Sequence, residues 1–329
     1  MNDVVVLLAG GVMLYFGAEW LVGGASALAL AMRVPQLLVG LTVVAYGTSA
    51  PEIIVGIQAA YTGHGDVALG NVIGSNIANF GLILGVAALV KPAPVDGALR
   101  RRELPVVLLT AALVPLLLID ARIQRWEAGL LLAGALGYTY WMVRTSRASR
   151  GAAHAQIAAE VTADAADIAG APAPRGGRLR QLVTALAGLG VLLLGGHLFV
   201  DAAASLARSW GMSERLVGLT IVAIGTSLPE LATSVIAASK GHSDIAVGNV
   251  IGSNIFNVFL CLGAAGLAGN VGAPLRTVAV DIGALMTITL VGCFFLRKKR
   301  LIARWEGALL VSLYAAFLGY LIVSGATAG

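Results

Sequence analysis

The sequence predicts an all-α polytopic membrane protein: ten transmembrane helices in two inverted five-helix repeats, with helices 2, 3, 7 and 8 interrupted. Three observations carry that prediction. The chain of 329 residues is 58% hydrophobic and 12% charged, with a mean hydropathy of +0.88, far from a soluble domain of this length. Apolar runs of about 18 residues or more recur from end to end, each long enough to cross a hydrocarbon core of about 30 Å. One polar motif also occurs twice: Gly47-Thr48-Ser49-Ala50-Pro51-Glu52 returns as Gly225-Thr226-Ser227-Leu228-Pro229-Glu230, 178 residues later (230 − 52).

Taken in order, the first repeat (1–144) holds spans at about 3–31, 36–61, 66–90, 103–120 and 125–144. The opening run from Val4 is too long for a signal peptide and lacks a basic leader, so it reads as a membrane helix. The stretch 145–180 is rich in Ala with scattered charges, Pro and Gly, and has too little apolar content to span or to build a core. It reads as a linker loop. The second repeat (181–329) holds spans at about 181–208, 214–239, 244–268, 274–296 and 303–324. Cys261 and Cys293 lie in apolar runs and read as small core hydrophobes, not a disulfide framework.

The two repeats align without a gap from Gly17–Gly85 to Gly195–Gly263, with 23 identities in the 39 positions of Gly47–Gly85. Arg125-Trp126-Glu127 returns as Arg304-Trp305-Glu306 with one residue of slip. Five spans per repeat is odd, so the second copy must enter the membrane upside down. With both termini outside and the central loop cytoplasmic, 17 of the 22 Lys and Arg lie at inward ends and 5 at outward ends. The positive-inside rule selects that orientation. It also accounts for the formal charge of +5 without a nucleic-acid partner.

The motifs carry the chemistry. Gly47 and Pro51 are expected to break the second span and free backbone carbonyls from about Ala45 to Thr48. Thr48, Ser49 and Glu52 add side-chain oxygens, and the other copy supplies Ala223, Thr226, Ser227 and Glu230. A second shared segment, Gly70-Asn71-Val72-Ile73-Gly74-Ser75-Asn76-Ile77 against Gly248 to Ile255, brings Ser75 and Asn79 opposite Ser253 and Asn257. Oxygen-only ligands without nearby His or Cys suit hard cations such as Ca²⁺ or Na⁺. Two mid-membrane carboxylates each cost about 2.5–3.5 kcal/mol on insertion scales and need a cation or a proton.

Plainer readings compete. Ser49-x-x-Glu52 and Ser227-x-x-Glu230 match the helix capping box, in which the Glu merely satisfies a backbone donor. The glycines at 70, 74, 248 and 252 suit close helix packing, and the asparagines suit interhelical hydrogen bonds. Glu19 and Asp201 are not at equivalent repeat positions and read as access-tuning or paired residues. His64 and His242 fall in short connections, and Trp126 and Trp305 have the setting of interfacial anchors. A channel using the same oxygens is a rival. An intramembrane enzyme is a weaker one, since no Gly-x-Ser-x-Gly elbow or His-Glu-x-x-His motif occurs.

The paired Gly-Thr-Ser-x-Pro-Glu and Gly-Asn-x-Ile-Gly-Ser-Asn-Ile motifs resemble the two alpha-repeats of the calcium/cation antiporter superfamily, in particular prokaryotic-type sodium/calcium exchangers. The resemblance spans nearly the whole chain apart from the central loop. It implies a cell-membrane Na⁺/Ca²⁺ antiporter working by alternating access, with Ca²⁺ and Na⁺ as substrates, no cofactor, and Ca²⁺/H⁺ exchange as the alternative. The ligands it implies are Thr48, Ser49, Glu52, Ser75 and Asn79, then Thr226, Ser227, Glu230, Ser253 and Asn257, with the carbonyls of Ala45 and Ala223. The long first and sixth helices resemble the sliding gate. Asn257 stands where potassium-dependent relatives carry Asp, which argues against K⁺ cotransport. Oligomeric state is not fixed by the sequence.

Overall fold

A computed structural model gives the fold and describes residues 2–32, 34–95, 97, 99–148, 177–212, 223–298 and 301–327. Most of the predicted linker and the start of the seventh span lie outside the described residues. The rest is nearly all helix: α1 (Asn2–Met32), α2 (Gln36–Thr48), α3 (Ala50–Tyr61), α4 (Gly65–Val90), α5 (Leu104–Leu117) and α6 (Arg125–Ala148). The second half follows with α7 (Arg178–Ser209), α8 (Ala223–Gly225), α9 (Leu228–Ser239), α10 (Ser243–Ala268), α11 (Ala279–Lys298) and α12 (Arg304–Thr327). Among the described residues six helices are long and apolar enough to cross a membrane, and α2–α3, bent by 42°, makes a seventh candidate span. Exposed Val5, Leu8, Val12, Leu130, Leu136 and Val323 give the bundle the apolar outer face that lipid requires.

The halves interlock through reciprocal contacts. Along the antiparallel pair α1 and α7, a Cβ added at Gly10 would lie 2.9 Å from the Gly195 carbonyl, and one at Gly17 would lie 2.9 Å from that of Gly188. Gly10 corresponds to Gly188 and Gly17 to Gly195, so the two contacts are copies of each other. Small residues let these backbones touch, which packs helices where lipid offers no hydrophobic drive. Gly85 packs against Gly307 and Val311 of α12, and its mate Gly263 against Ala128 and Leu132 of α6. A two-residue ladder pairs Ala93 with Ile302, and an isolated bridge pairs their counterparts Val271 and Ile123. Glu127 Oε2 accepts the Gln124 N–H and Glu306 Oε2 the Ala303 N–H, both at 2.8 Å. Duplication in sequence is thus duplication in packing.

Two local expectations need correction. The fourth and tenth helices, predicted as interrupted spans 3 and 8, run unbroken over Gly65–Val90 and Ser243–Ala268. Each instead widens into a π-helical segment, Asn79–Leu84 and Asn257–Leu262, starting at a predicted site asparagine. Such widened turns displace the register and gather at functional sites. The genuine breaks are at Ser49 and at Thr226–Ser227, where ψ of Ser49 and Ser227 is 5° and 6° and Pro stands at the second position of the next helix. The expected release of carbonyls is also narrower than predicted: the Ala45 carbonyl accepts the Ser49 N–H at 3.1 Å, leaving only its second lone pair.

Candidate cation site

The two breaks bring the motifs together inside the bundle. Glu52 and Glu230 stand in the first turns of α3 and α9, each 1% exposed. Thr48, Ser49, Ser227, Ser75, Asn79, Ser253 and Asn257 are all buried as well. Thr226 is half-buried. Ala45 is buried beneath Thr48, while of Ala223 only its place in the short helix α8 is described.

The capping-box reading fails on geometry. Neither Ser49 nor Ser227 makes a side-chain cap. The Ser49 hydroxyl reaches across the repeat boundary instead, 3.1 Å from Glu230 Oε1 and 3.1 Å from Ser253 Oγ. Thr48 Oγ1 lies 3.1 Å from both the Val44 carbonyl and Asn249 Oδ1. Ser227 lies beside Glu52 without a hydrogen bond of ordinary geometry.

Several buried oxygens are left over. Both Glu52 carboxylate oxygens, Glu230 Oε2, Ser227 Oγ and Asn79 Oδ1 have no hydrogen-bond partner among the described residues. Leaving a buried acceptor unpaired costs about 1–3 kcal/mol, and more when it is charged. Acceptors without donors, gathered around two carboxylates, are what a cation would satisfy. Among the described residues no group of three or more His, Cys, Asp or Glu is placed to hold a metal, so beyond the two Glu the candidate oxygens come from Ser, Thr, Asn and backbone. The two asparagines differ: Asn257 donates to Asn76 Oδ1 at 3.1 Å and accepts from the Cys261 thiol at 3.4 Å, whereas the Asn79 oxygen is unpaired.

Two residues outside the predicted set shape the pocket. Asn71 donates to the Glu52 carbonyl at 3.2 Å, and its counterpart Asn249 donates to the Glu230 carbonyl at 3.4 Å and to Ser234 Oγ at 3.0 Å. Each asparagine ties its helix to the backbone of the carboxylate it serves. Their signal was present in the duplicated Gly-Asn pair, but spacing alone does not say which side chain reaches a backbone. Asn76 also donates to the carbonyl of its own repeat mate Asn254 at 3.4 Å, which marks where the two copies meet. Glu19 and Asp201 lie outside the pocket, paired with Lys240 at 2.6 Å and His197 at 3.3 Å.

A cavity of about 370 Å³ reaches the site from one side, lined by Asn71, Gly74, Ser75, Thr226, Asp281 and Tyr314 among others. Fold and pocket together define an integral, multi-pass membrane protein with a duplicated, oxygen-lined interior site, a build that cation carriers share. A family profile described as sodium/calcium exchanger protein matches residues 2–144 and 180–323. The chain is 38% identical over 320 residues to a putative antiporter, CaxA, of Alkalimonas amylolytica, covering 96% of each chain. It is 32% identical over 340 residues to the sodium/calcium exchanger MaX1 of Methanosarcina acetivorans, covering 96% of this chain and 97% of that one. The solved sodium-calcium exchanger NCX_Mj superposes with a TM-score of 0.81 at 32% identity, covering 98% and 99% of the two chains. The chain belongs to the sodium/calcium exchanger family. These relatives are transporters, not enzymes.

Proposed function

We propose that this protein is a secondary active antiporter that exchanges Na⁺ for Ca²⁺ by alternating access and normally extrudes Ca²⁺. The observation that carries this reading is the set of unpaired buried oxygens around Glu52 and Glu230. Two carboxylates in a low-dielectric pocket balance one Ca²⁺ or two Na⁺. Loading both sets together leaves excess positive charge, so the ions compete for the site and are exchanged. An additional Na⁺ in the cycle would make it carry charge, and the membrane potential would then contribute about 2.3 kcal/mol per charge per 100 mV. Thr48, Ser49, Ser75 and Asn79, with Thr226, Ser227, Ser253 and Asn257, complete the proposed ligand set, and the Ala45 and Ala223 carbonyls contribute remaining lone pairs. No cofactor is required.

The reading includes ten spans in two inverted repeats, with both termini outside and the central loop cytoplasmic. The reciprocal glycine contacts and the paired bridges at 93–302 and 123–271 support a two-fold relation between the halves. In that orientation the cavity beside Thr226 opens outward. Gly248 and Gly252, packed on Leu37, Leu41 and Ala45, then seal the inward path. The antiparallel pair α1 and α7 lies across the broken helices as the sliding element.

Uptake of ⁴⁵Ca²⁺ into proteoliposomes tests the proposal. An outward Na⁺ gradient is expected to drive uptake, and a pH gradient or a K⁺ gradient alone is not. Uptake driven only by the pH gradient would transfer the reading to Ca²⁺/H⁺ exchange, and Ca²⁺ entry with no countertransported ion would make the protein a channel.

A further inference from the structure

A groove of about 820 Å³, separate from the cation site, runs between α5 and α11. Its volume is that of pockets that hold small molecules. Its two walls are helical stripes of the same kind. From one side Arg100 and Arg101 lead into Leu104 and Leu108; from the other Leu290 and Phe294 lead into Arg297. The helices run in opposite directions, yet the arginines meet at one end. The groove therefore has a cationic head and an apolar body.

Among the described residues the cationic end has no acidic partner. No ion pair among the described residues joins Arg100, Arg101 or Arg297 to a carboxylate, and Arg100 Nε is buried without a hydrogen-bond partner. Lys298 adds a further positive charge, its Nζ 5.2 Å from the centre of the Phe294 ring. Along α11 away from the arginine, Phe294 and then Leu290 are more than half exposed, so the apolar body opens onto the hydrocarbon that surrounds the bundle. A soluble anion would satisfy the arginines and leave the apolar walls without a partner. A zwitterionic lipid brings its own cation to a cationic head. A lipid with a net negative headgroup and an acyl chain satisfies both ends, the phosphate by charge-assisted and bidentate bonds to guanidinium.

We propose that this groove is a binding site for one anionic phospholipid, its phosphate held by Arg100, Arg101 and Arg297 and an acyl chain laid along Leu104, Leu108, Leu290 and Phe294. In the orientation proposed above the lipid belongs to the cytoplasmic leaflet. The site is independent of the cation pocket and of what that pocket carries.

Native mass spectrometry of the purified full-length protein, titrated with phosphatidylglycerol or phosphatidylcholine, tests it. Phosphatidylglycerol is expected to bind more tightly than phosphatidylcholine. The variant with Arg100→Gln, Arg101→Gln and Arg297→Gln should lose affinity for it by about a hundredfold. Arg122→Gln with Arg276→Gln, at the opposite ends of the helices, should leave it unchanged. If the triple variant does not fold, Leu290→Trp, which fills the exposed body of the groove while keeping all three arginines, should likewise weaken phosphatidylglycerol binding. Equal binding of the two lipids, retained affinity in the triple or the Leu290→Trp variant, or full displacement by inorganic phosphate would overturn the proposal.

Discussion

The two copies of the site are nearly identical in sequence and different in structure. In one, Thr48 is fully buried and bonded to Asn249, and Ser49 bridges Glu230 and Ser253. In the other, Thr226 lines a cavity beside Asn71, and Ser227 Oγ has no partner among the described residues. The glycines repeat the pattern. A Cβ at Gly252 would meet Ala45 Cβ at 2.7 Å and the Leu41 carbonyl at 2.8 Å, whereas one at Gly70 or Gly74 would meet nothing described within 4 Å. Among the described residues, one side is tightly packed and the other borders a cavity. The alternating access proposed above needs two arrangements around a fixed site.

The largest expected effect asks whether the chemistry stays symmetric where the geometry does not. Glu52→Gln and Glu230→Gln are each expected to abolish Na⁺-driven ⁴⁵Ca²⁺ uptake, with the purified proteins still monodisperse and helical. If one variant retained full exchange, the two carboxylates would not share a site.

A middle-sized effect separates the tightly packed side from the one that borders the cavity. Gly252→Ala should cost about 1–3 kcal/mol by overpacking against Leu41 and Ala45. Gly74→Ala should be neutral or slightly stabilising, since Ala is the better helix former. Thermal unfolding of both variants in one detergent measures this. Equal losses would mean that the cavity side is packed as tightly as the other.

The smallest effect concerns the histidine mates, which cap the α4 and α10 connections outside the spans. His64 is exposed, its Nδ1 3.1 Å from Thr62 Oγ1. His242 is half-buried, its Nδ1 3.1 Å from Gln36 Oε1 and 3.4 Å from Ser26 Oγ. Burial, and then Lys240 and Lys91, hold its pKa below the usual histidine value of 6.5. A lowered folded value means that the unfolded chain takes up the proton first. The contribution to stability is therefore intact above about pH 6.5 and is lost as the pH falls toward the folded value. The unfolding midpoint of the wild type should drop more between pH 8 and pH 5 than that of His242→Gln. A wild-type profile no steeper than the variant's would remove this effect.

Much of the candidate site was legible in the sequence because its signals are local. A Glu three residues after a Ser, next to Pro and inside an apolar run, is conspicuous in one copy and more so in two. The same holds for the polar face carrying Ser75 and Asn79. The roles of Asn71 and Asn249 were not legible, because a side chain's choice of a backbone carbonyl 19 residues away depends on how two helices dock. The failed capping boxes have the same cause. Ser49 matches the pattern, yet tertiary packing offers its hydroxyl Glu230 and Ser253 in place of its own backbone. The π-helical segments at Asn79 and Asn257 leave no mark in hydropathy, because widening a turn changes register and not composition.

By itself, then, the sequence determined the membrane class, the doubling, the two Gly/Pro helix breaks and the pair of acidic residues, since apolar length, Gly/Pro punctuation and repetition act over a few turns of chain. Only the tertiary structure decided that, among the described residues, one copy is tightly packed and the other borders a cavity. Both copies carry the same polar residues at the same spacing, so nothing local distinguishes them. The choice is made where helices from different halves touch, and there a glycine can face a backbone or a cavity.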